Sequence, residues 1–168
     1  MSAACERQDL GDRLFEVTYP VTEFAVLGGQ PTAVSNVIAL NSVPTSFLTA
    51  MNDAAVSADD IDLVGGFRAR VVSLTNDDFS EMERIEVRAC AVGTPGGCTQ
   101  QDILFSQSDL FRRRQQTVDL SPSLLNFKEL FVGSDFIRVE VVFFSGITTS
   151  RNLEARLDWS VAAFGNLN

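Results

Sequence analysis

The sequence has no histidine among its 168 residues, and this absence limits the chemistry open to the chain. Histidine is the side chain most used for acid–base catalysis near neutral pH and the commonest ligand of zinc, copper and iron. A Ser-His-Asp or Cys-His catalytic group therefore cannot be formed by this chain alone. We expect a protein that is not an enzyme and that has no resident cofactor.

Long apolar runs are also lacking. No stretch approaches the roughly 20 apolar residues that span a bilayer, and residues Met1–Arg7 contain no apolar signal core. The content of 11 Gly and 5 Pro, with 45% apolar residues, excludes collagen-like and disordered chains. We expect no transmembrane segment, a flexible N-terminal arm over residues 1–12 and a single domain over residues 13–168.

Basic residues are outnumbered, with 13 Lys and Arg against 22 Asp and Glu, so the net charge is −9. Such a chain repels phosphate backbones on average, and nucleic acid is not an expected partner. The one basic run is Arg112, Arg113 and Arg114. It is a candidate docking patch for a carboxylate-rich partner, including another copy of this chain. The alternative is a solvated loop or edge strand whose charges discourage aggregation.

Alternation of apolar and polar residues is the dominant pattern. It predicts a long half-buried strand over Leu153–Ala163 and a central strand over Ile137–Phe144, joined by Ser145–Ser150 as a hairpin connection. Seven shorter runs bounded by turn-forming residues predict further strands: Leu14–Tyr19, Glu23–Leu27, Ala33–Leu40, Phe67–Thr75, Met82–Val92, Ile103–Ser106 and Thr117–Leu120.

Two segments break the alternation. Pro44–Ala55 and Ser123–Val132 have apolar residues at helical spacing, so each predicts a short helix. About nine strands with one or two short helices predict an all-β fold, an antiparallel β-sandwich of jelly-roll or immunoglobulin-like type.

The three cysteines lie at positions 5, 90 and 98. If the strand Arg84–Val92 folds back through Gly93–Gly97, a pairing centred on Thr94 places Cys90 opposite Cys98. The spacing therefore predicts a cross-strand disulfide, and the alternative is a pair of reduced, buried thiols.

Cys5 follows Ala3 and Ala4 and precedes a polar segment, Glu6–Asp12. This resembles the end of a bacterial lipoprotein signal at its processed cysteine and implies a lipid anchor on Cys5. The alternative is an unpaired thiol on the N-terminal arm. A lipid anchor together with a disulfide implies a place outside the cytoplasm, at the bacterial cell surface or in the periplasm.

Two acidic segments are candidate calcium sites, because carboxylates are the ligands that calcium prefers. The first contains Asp59, Asp60 and Asp62, and the second contains Asp77 and Asp78. The alternative for both is local turn formation ahead of the next strand.

The strand pattern resembles that of β-sandwich modules in bacterial surface proteins, a resemblance that implies no site residues. We therefore predict a non-catalytic secreted or surface-attached module that acts by protein binding or self-association. The alternative is a structural subunit of a larger particle such as a virion, tail or filament. A third hypothesis is a calcium-dependent carbohydrate-active protein.

Overall fold

The structure is a computed structural model and describes residues 11–166. The strands in it pair antiparallel, as the sequence predicts, and the all-β architecture with nine strands and two short helices is confirmed. In chain order the elements are β1 (Asp12–Thr18), β2 (Thr22–Val26), β3 (Asn36–Pro44), α1 (Phe47–Ala54), β4 (Ile61–Ser73), β5 (Met82–Ala91), β6 (Ile103–Gln107), β7 (Thr117–Pro122), α2 (Lys128–Gly133), β8 (Phe136–Ser145) and β9 (Leu153–Gly165).

The strands form one curled sheet with two halves. The first half has β9 at its centre, paired on one side with β1 and β2 and on the other with β4, which pairs with β7. The second half contains β6, β5, β8 and β3 in that order. Two residue pairs, Phe105 with Pro122 and Ser106 with Ser121, join β6 to β7 and make the sheet continuous.

The core lies between the two halves because each long strand turns one apolar row inward. On β9 the inner row includes Leu157 and Trp159, and on β8 it includes Val141 and Phe143, all of them buried. The rings of Phe24 on β2 and Phe143 on β8 are 5.5 Å apart, so the halves contact each other across the core.

The connection over Ser145–Ser150 differs from the prediction, because β8 and β9 do not pair with each other. β8 pairs with β5 and β3, whereas β9 pairs with β1, β2 and β4, so this segment carries the chain from one half to the other. Both strands have strongly apolar inner rows, and these rows pack on opposite sides of the core. The strand predicted over Phe67–Thr75 begins earlier, at Ile61, as part of β4, which has a register shift between Gly66 and Arg68.

The helices are shorter than predicted. α1 buries Phe47 and Met51 but leaves Leu48 exposed. α2 begins only at Lys128, because the Asn126 side chain accepts the N–H groups of Val64 and Lys128 and holds the preceding residues as a loop. Within residues 11–166, neither helix has the length and apolar character to cross a membrane.

Candidate functional site

The sheet formed by residues 11–166 has two open edges, and they differ in charge. One edge is formed by β1 and β2, which carry Asp12, Arg13, Glu16 and Glu23 and are interrupted around Pro20. The other edge is β3, whose nine residues include no charged side chain. Among the described strands β3 pairs only with β8. Charged residues and interruptions of the edge strand protect sheet edges from pairing with other chains. β3 has no charged residue to protect it in this way.

The first five residues of β3 form a regular ladder with β8, from Asn36 opposite Phe143 to Leu40 opposite Val139. The register shifts between Leu40 and Val43. Ile38 and Leu40 point toward the core but are only partly buried. Val37 points outward and is 49% exposed. This edge therefore presents apolar side chains on both of its faces.

This edge was not predicted from the sequence, although a signal for it is present. Residues 24–52 contain no Asp, Glu, Lys or Arg, in a chain that is 21% charged. That run contains the whole of β3. The acidic charge of the molecule is therefore carried by other parts of the surface.

The outer face of the second half, next to β3, carries a buried ionic network. Glu86 on β5 is 2% exposed, and its two oxygens lie 2.9 Å from Nε of Arg84 and 2.8 Å from Nε of Arg88. The guanidinium of Arg84 also lies 4.1 Å from the centre of the Phe144 ring. Burial of the carboxylate is compensated by two cations, as a desolvated charge requires.

Glu140 on β8, 3% exposed, is the second buried acid of this network. Its Oε1 accepts from Nε of Arg138 at 2.7 Å and from the backbone N–H of Cys98 at 3.2 Å. Nη1 of Arg138 donates to Oδ1 of Asn41 at 2.7 Å, and Asn41 belongs to β3. The network thus extends from the disulfide loop to the edge strand. Neither Glu86 nor Glu140 was predicted as a site residue from the sequence, because both lie in the outward rows of their strands, where acids are ordinarily solvated.

The predicted disulfide between Cys90 and Cys98 is present, with Cα atoms 5.5 Å apart. Its surroundings differ from the predicted hairpin. The strand that pairs with β5 on this side is β6, which begins at Ile103 after a short 3₁₀ turn, so Cys98 lies in the connecting loop and not on a strand. The bridge closes a loop that folds over the outer face of β8.

A groove of about 530 Å³ lies on the outer face of the first half. Nε of Arg70 donates to Asp119 at 2.6 Å within it. Ser160 forms part of its lining, and its buried Oγ has no hydrogen-bond partner among residues 11–166. The charged residues of the lining have both signs: Glu16, Arg68, Arg70, Asp119 and Asp158.

The first acidic segment is engaged in local structure. Asp60 accepts hydrogen bonds from the hydroxyl and the backbone N–H of Ser57 at 2.6 and 2.8 Å, and these bonds lower the pKa of Asp60. Asp62 accepts from the Asn166 amide at 3.4 Å. Asp59 lies in the same short 3₁₀ turn as Asp60.

The structure brings the second acidic segment close to the arginine run. Asp77 forms an ion pair with Arg151 at 2.8 Å. The pKa of Asp78 is lowered by hydrogen bonds from Ser80, and the charges of Arg151 and Arg114 lower it further. Arg112, Arg113 and Arg114 are exposed on the loop between β6 and β7, so they do not form an edge strand. Docking through this loop stays a prediction.

No group of three or more acidic or cysteine side chains within residues 11–166 is arranged to hold a metal ion. Calcium binding by either acidic segment stays a prediction. Cys5, the candidate lipid anchor, lies outside the described residues.

No protein-family model matches the chain, and no curated protein sequence matches it. A solved structure of Cocksfoot mottle virus aligns with all of this chain and with 91% of its own, at 12% sequence identity and a TM-score of 0.30. At that TM-score the likeness carries no argument about fold or function.

Proposed function

We propose that this protein is a non-catalytic module that acts by binding protein, and that β3 is its binding surface. The observation that carries the proposal is the open, uncharged edge of β3 in a strongly acidic chain. An edge strand presents a row of backbone N–H and C=O groups to which an extended segment of another protein can add as a further strand. The exposed Val37 and the half-buried Ile38 then supply apolar contacts on the two faces.

The buried network beside β3 supports this use of the edge. Arg138 connects Asn41 of β3 to Glu140, and Glu140 is held in turn by the loop that the disulfide closes. A strand fixed in this way loses little conformational freedom when a partner binds. The disulfide also supports a place outside the cytoplasm, because oxidising compartments are where structural disulfides persist.

A photo-crosslinking amino acid placed at Val37 tests the proposal in the native host. Val21 is the matched control, since it is the same residue type, lies at the opposite edge between β1 and β2, and is 53% exposed against 49% for Val37. We expect protein adducts from position 37 and few from position 21. Absence of adducts from position 37, or equal adducts from both positions, would contradict the proposal.

A further inference from the structure

We infer that the strand that binds β3 is β3 of a second copy of this chain, paired antiparallel about a two-fold axis at Ile38. The inference rests on the proposed function, because it names the partner of the same surface. Two copies related by such an axis would join their second halves into one continuous sheet.

The regular part of β3 is what places the axis. Only residues 36–40 pair with β8 without a register shift, and Ile38 is the midpoint of that segment. Antiparallel pairing of the segment with itself sets Ile38 opposite Ile38, Val37 opposite Ala39, and Asn36 opposite Leu40. Directly opposed residues lie on the same face of a sheet. Apolar residues therefore meet on both faces, and no charge is opposed by a like charge.

Charge explains why two copies would meet at this edge. Each copy has a net charge of −9, so the two molecules repel each other on average. β3 lies within the uncharged run of residues 24–52. On the neighbouring outer face, Arg84, Arg88 and Arg138 outnumber the buried Glu86 and Glu140. When two copies approach through β3, the surfaces that meet therefore carry no excess of acidic charge. The edge formed by β1 and β2, in contrast, carries Asp12, Glu16 and Glu23.

Pairing would also complete the core. Ile38 and Leu40 pack against the buried cluster yet remain partly exposed at this edge. In the symmetric pair each Ile38 covers the other, and each Leu40 is flanked by Asn36 of the second copy. Burial of this apolar surface is the expected driving force, and the backbone hydrogen bonds between the strands set the register.

Sedimentation of the purified full chain across a micromolar concentration series tests the inference, with Cys5→Ser in all samples to prevent disulfide dimers through Cys5. We expect a species of twice the 18.3 kDa chain mass. Val37→Lys should raise the dimer dissociation constant at least about tenfold, because each copy brings a cation to the shared strand pair. Val21→Lys, the matched control, should leave it unchanged. Circular dichroism confirms that both variants retain the fold.

Cysteine crosslinking tests the register. In the same Cys5→Ser background, Ile38→Cys places two thiols directly opposite each other, within disulfide distance. Val37→Cys instead places each thiol opposite Ala39 of the second copy. The two thiols are then diagonal neighbours and lie farther apart. We expect rapid covalent dimer formation from Ile38→Cys and much slower formation from Val37→Cys.

The outcomes separate this inference from the proposed function. A chain that stays monomeric throughout the series, or a dimer that survives Val37→Lys, overturns the symmetric pairing. If the adducts from position 37 contain a different protein, the inference fails and the proposed function stands. If position 37 gives no adduct and the chain is monomeric, both fail. Faster crosslinking of Val37→Cys than of Ile38→Cys overturns the axis at Ile38.

Discussion

The backbone N–H of Cys98 donates to Oε1 of Glu140 at 3.2 Å, and this bond joins the disulfide loop to the outer face of β8. Arg88 contributes a second link, since its Nη1 lies 3.4 Å from the carbonyl oxygen of Cys98. The disulfide anchors the same residue to Cys90 on β5. One loop residue is thus held by two strands of the second half.

Gly97 should tolerate alanine less well than its neighbour Gly96. Both have positive φ angles, +81° and +77°, so alanine at either position costs about 1–2 kcal/mol of unfolding free energy. A Cβ at position 97 would in addition overlap Oε1 of Glu140, whereas a Cβ at position 96 meets nothing within 4 Å. We expect Gly97→Ala to be the more destabilising change by about 1.5–3 kcal/mol, because the charged hydrogen bond to Cys98 is lost.

Urea unfolding of the two variants measures the difference. Gly96→Ala controls for backbone strain, so any excess in Gly97→Ala reports the contact with Glu140. Equal midpoints for the two variants would show that the loop moves away from Glu140 at no cost.

Removal of the disulfide should destabilise the domain without unfolding it. The bridge joins residues eight apart, and a loop of this length contributes about 2–3 kcal/mol by restricting the unfolded chain. We expect Cys90→Ser combined with Cys98→Ser to lower the free energy of unfolding, measured in urea, by that amount. Reduction of the wild-type protein should have a similar effect, and intact mass should rise by about two daltons on reduction. An unchanged mass would show that the thiols are free.

The alternation of the sequence predicted the strands but not their partners. In β9, Leu157 and Trp159 alternate with polar residues because one row of each strand faces the core, and the same holds for Val139 and Val141 in β8. Alternation specifies which face of a strand is buried and carries no information about which strand lies beside it. The expected hairpin between β8 and β9 was therefore wrong, although both strands were correctly predicted.

The candidate site was missed for a related reason. The edge position of β3 depends on the order of all nine strands, which no local pattern encodes. The uncharged run around it was visible in the sequence, but an uncharged strand is equally compatible with a buried position in a sheet. Glu86 lies in an outward row, where a solvated acid is the ordinary expectation. Its burial depends on Arg88, which covers it, and on the pairing of β5 with β8.

Glu86→Ala should be among the most destabilising polar substitutions in the chain. It leaves Arg88, with a side chain only 12% exposed, without its carboxylate partner. Loss of one partner of a buried ion pair costs about 3–5 kcal/mol, because the remaining charge stays desolvated. We expect a correspondingly large fall in the urea midpoint, and a smaller fall for Glu86→Gln, which keeps a hydrogen-bond acceptor.

Asp119→Ala provides the matched control for the Glu86 variants. It removes the partner of Arg70 from an ion pair of comparable distance, 2.6 Å, whose side chains are 56% and 72% exposed. Solvent screens such a pair, so the midpoint should not change measurably. If Glu86→Ala has as small an effect as Asp119→Ala, the outer face of β5 is open to water in solution.

Alkaline pH should destabilise the protein through Tyr19. This side chain is stacked on Trp159 with ring centres 3.9 Å apart, and its hydroxyl donates to the backbone oxygen of Thr45 at 2.8 Å. Burial raises the pKa of Tyr19 well above its ordinary value, because the phenolate would be desolvated. The folded state therefore favours the neutral form more than the unfolded state does. The resulting stability is fully present below the unfolded pKa of about 10 and is lost as pH rises above it.

Tyr19 is the one tyrosine of the chain, so tyrosinate absorbance reports this group without ambiguity. We expect tyrosinate absorbance to appear only when the protein unfolds. Ionisation of Tyr19 and unfolding should therefore occur at the same pH. Tyr19→Phe loses the hydrogen bond to Thr45, a cost of about 1 kcal/mol that does not vary with pH. Its stability should therefore fall less steeply than that of the wild type above pH about 10, because the variant has no phenol at position 19 to ionise. Tyrosinate formation near pH 10 in a protein that remains folded would show that the Tyr19 hydroxyl is reached by water.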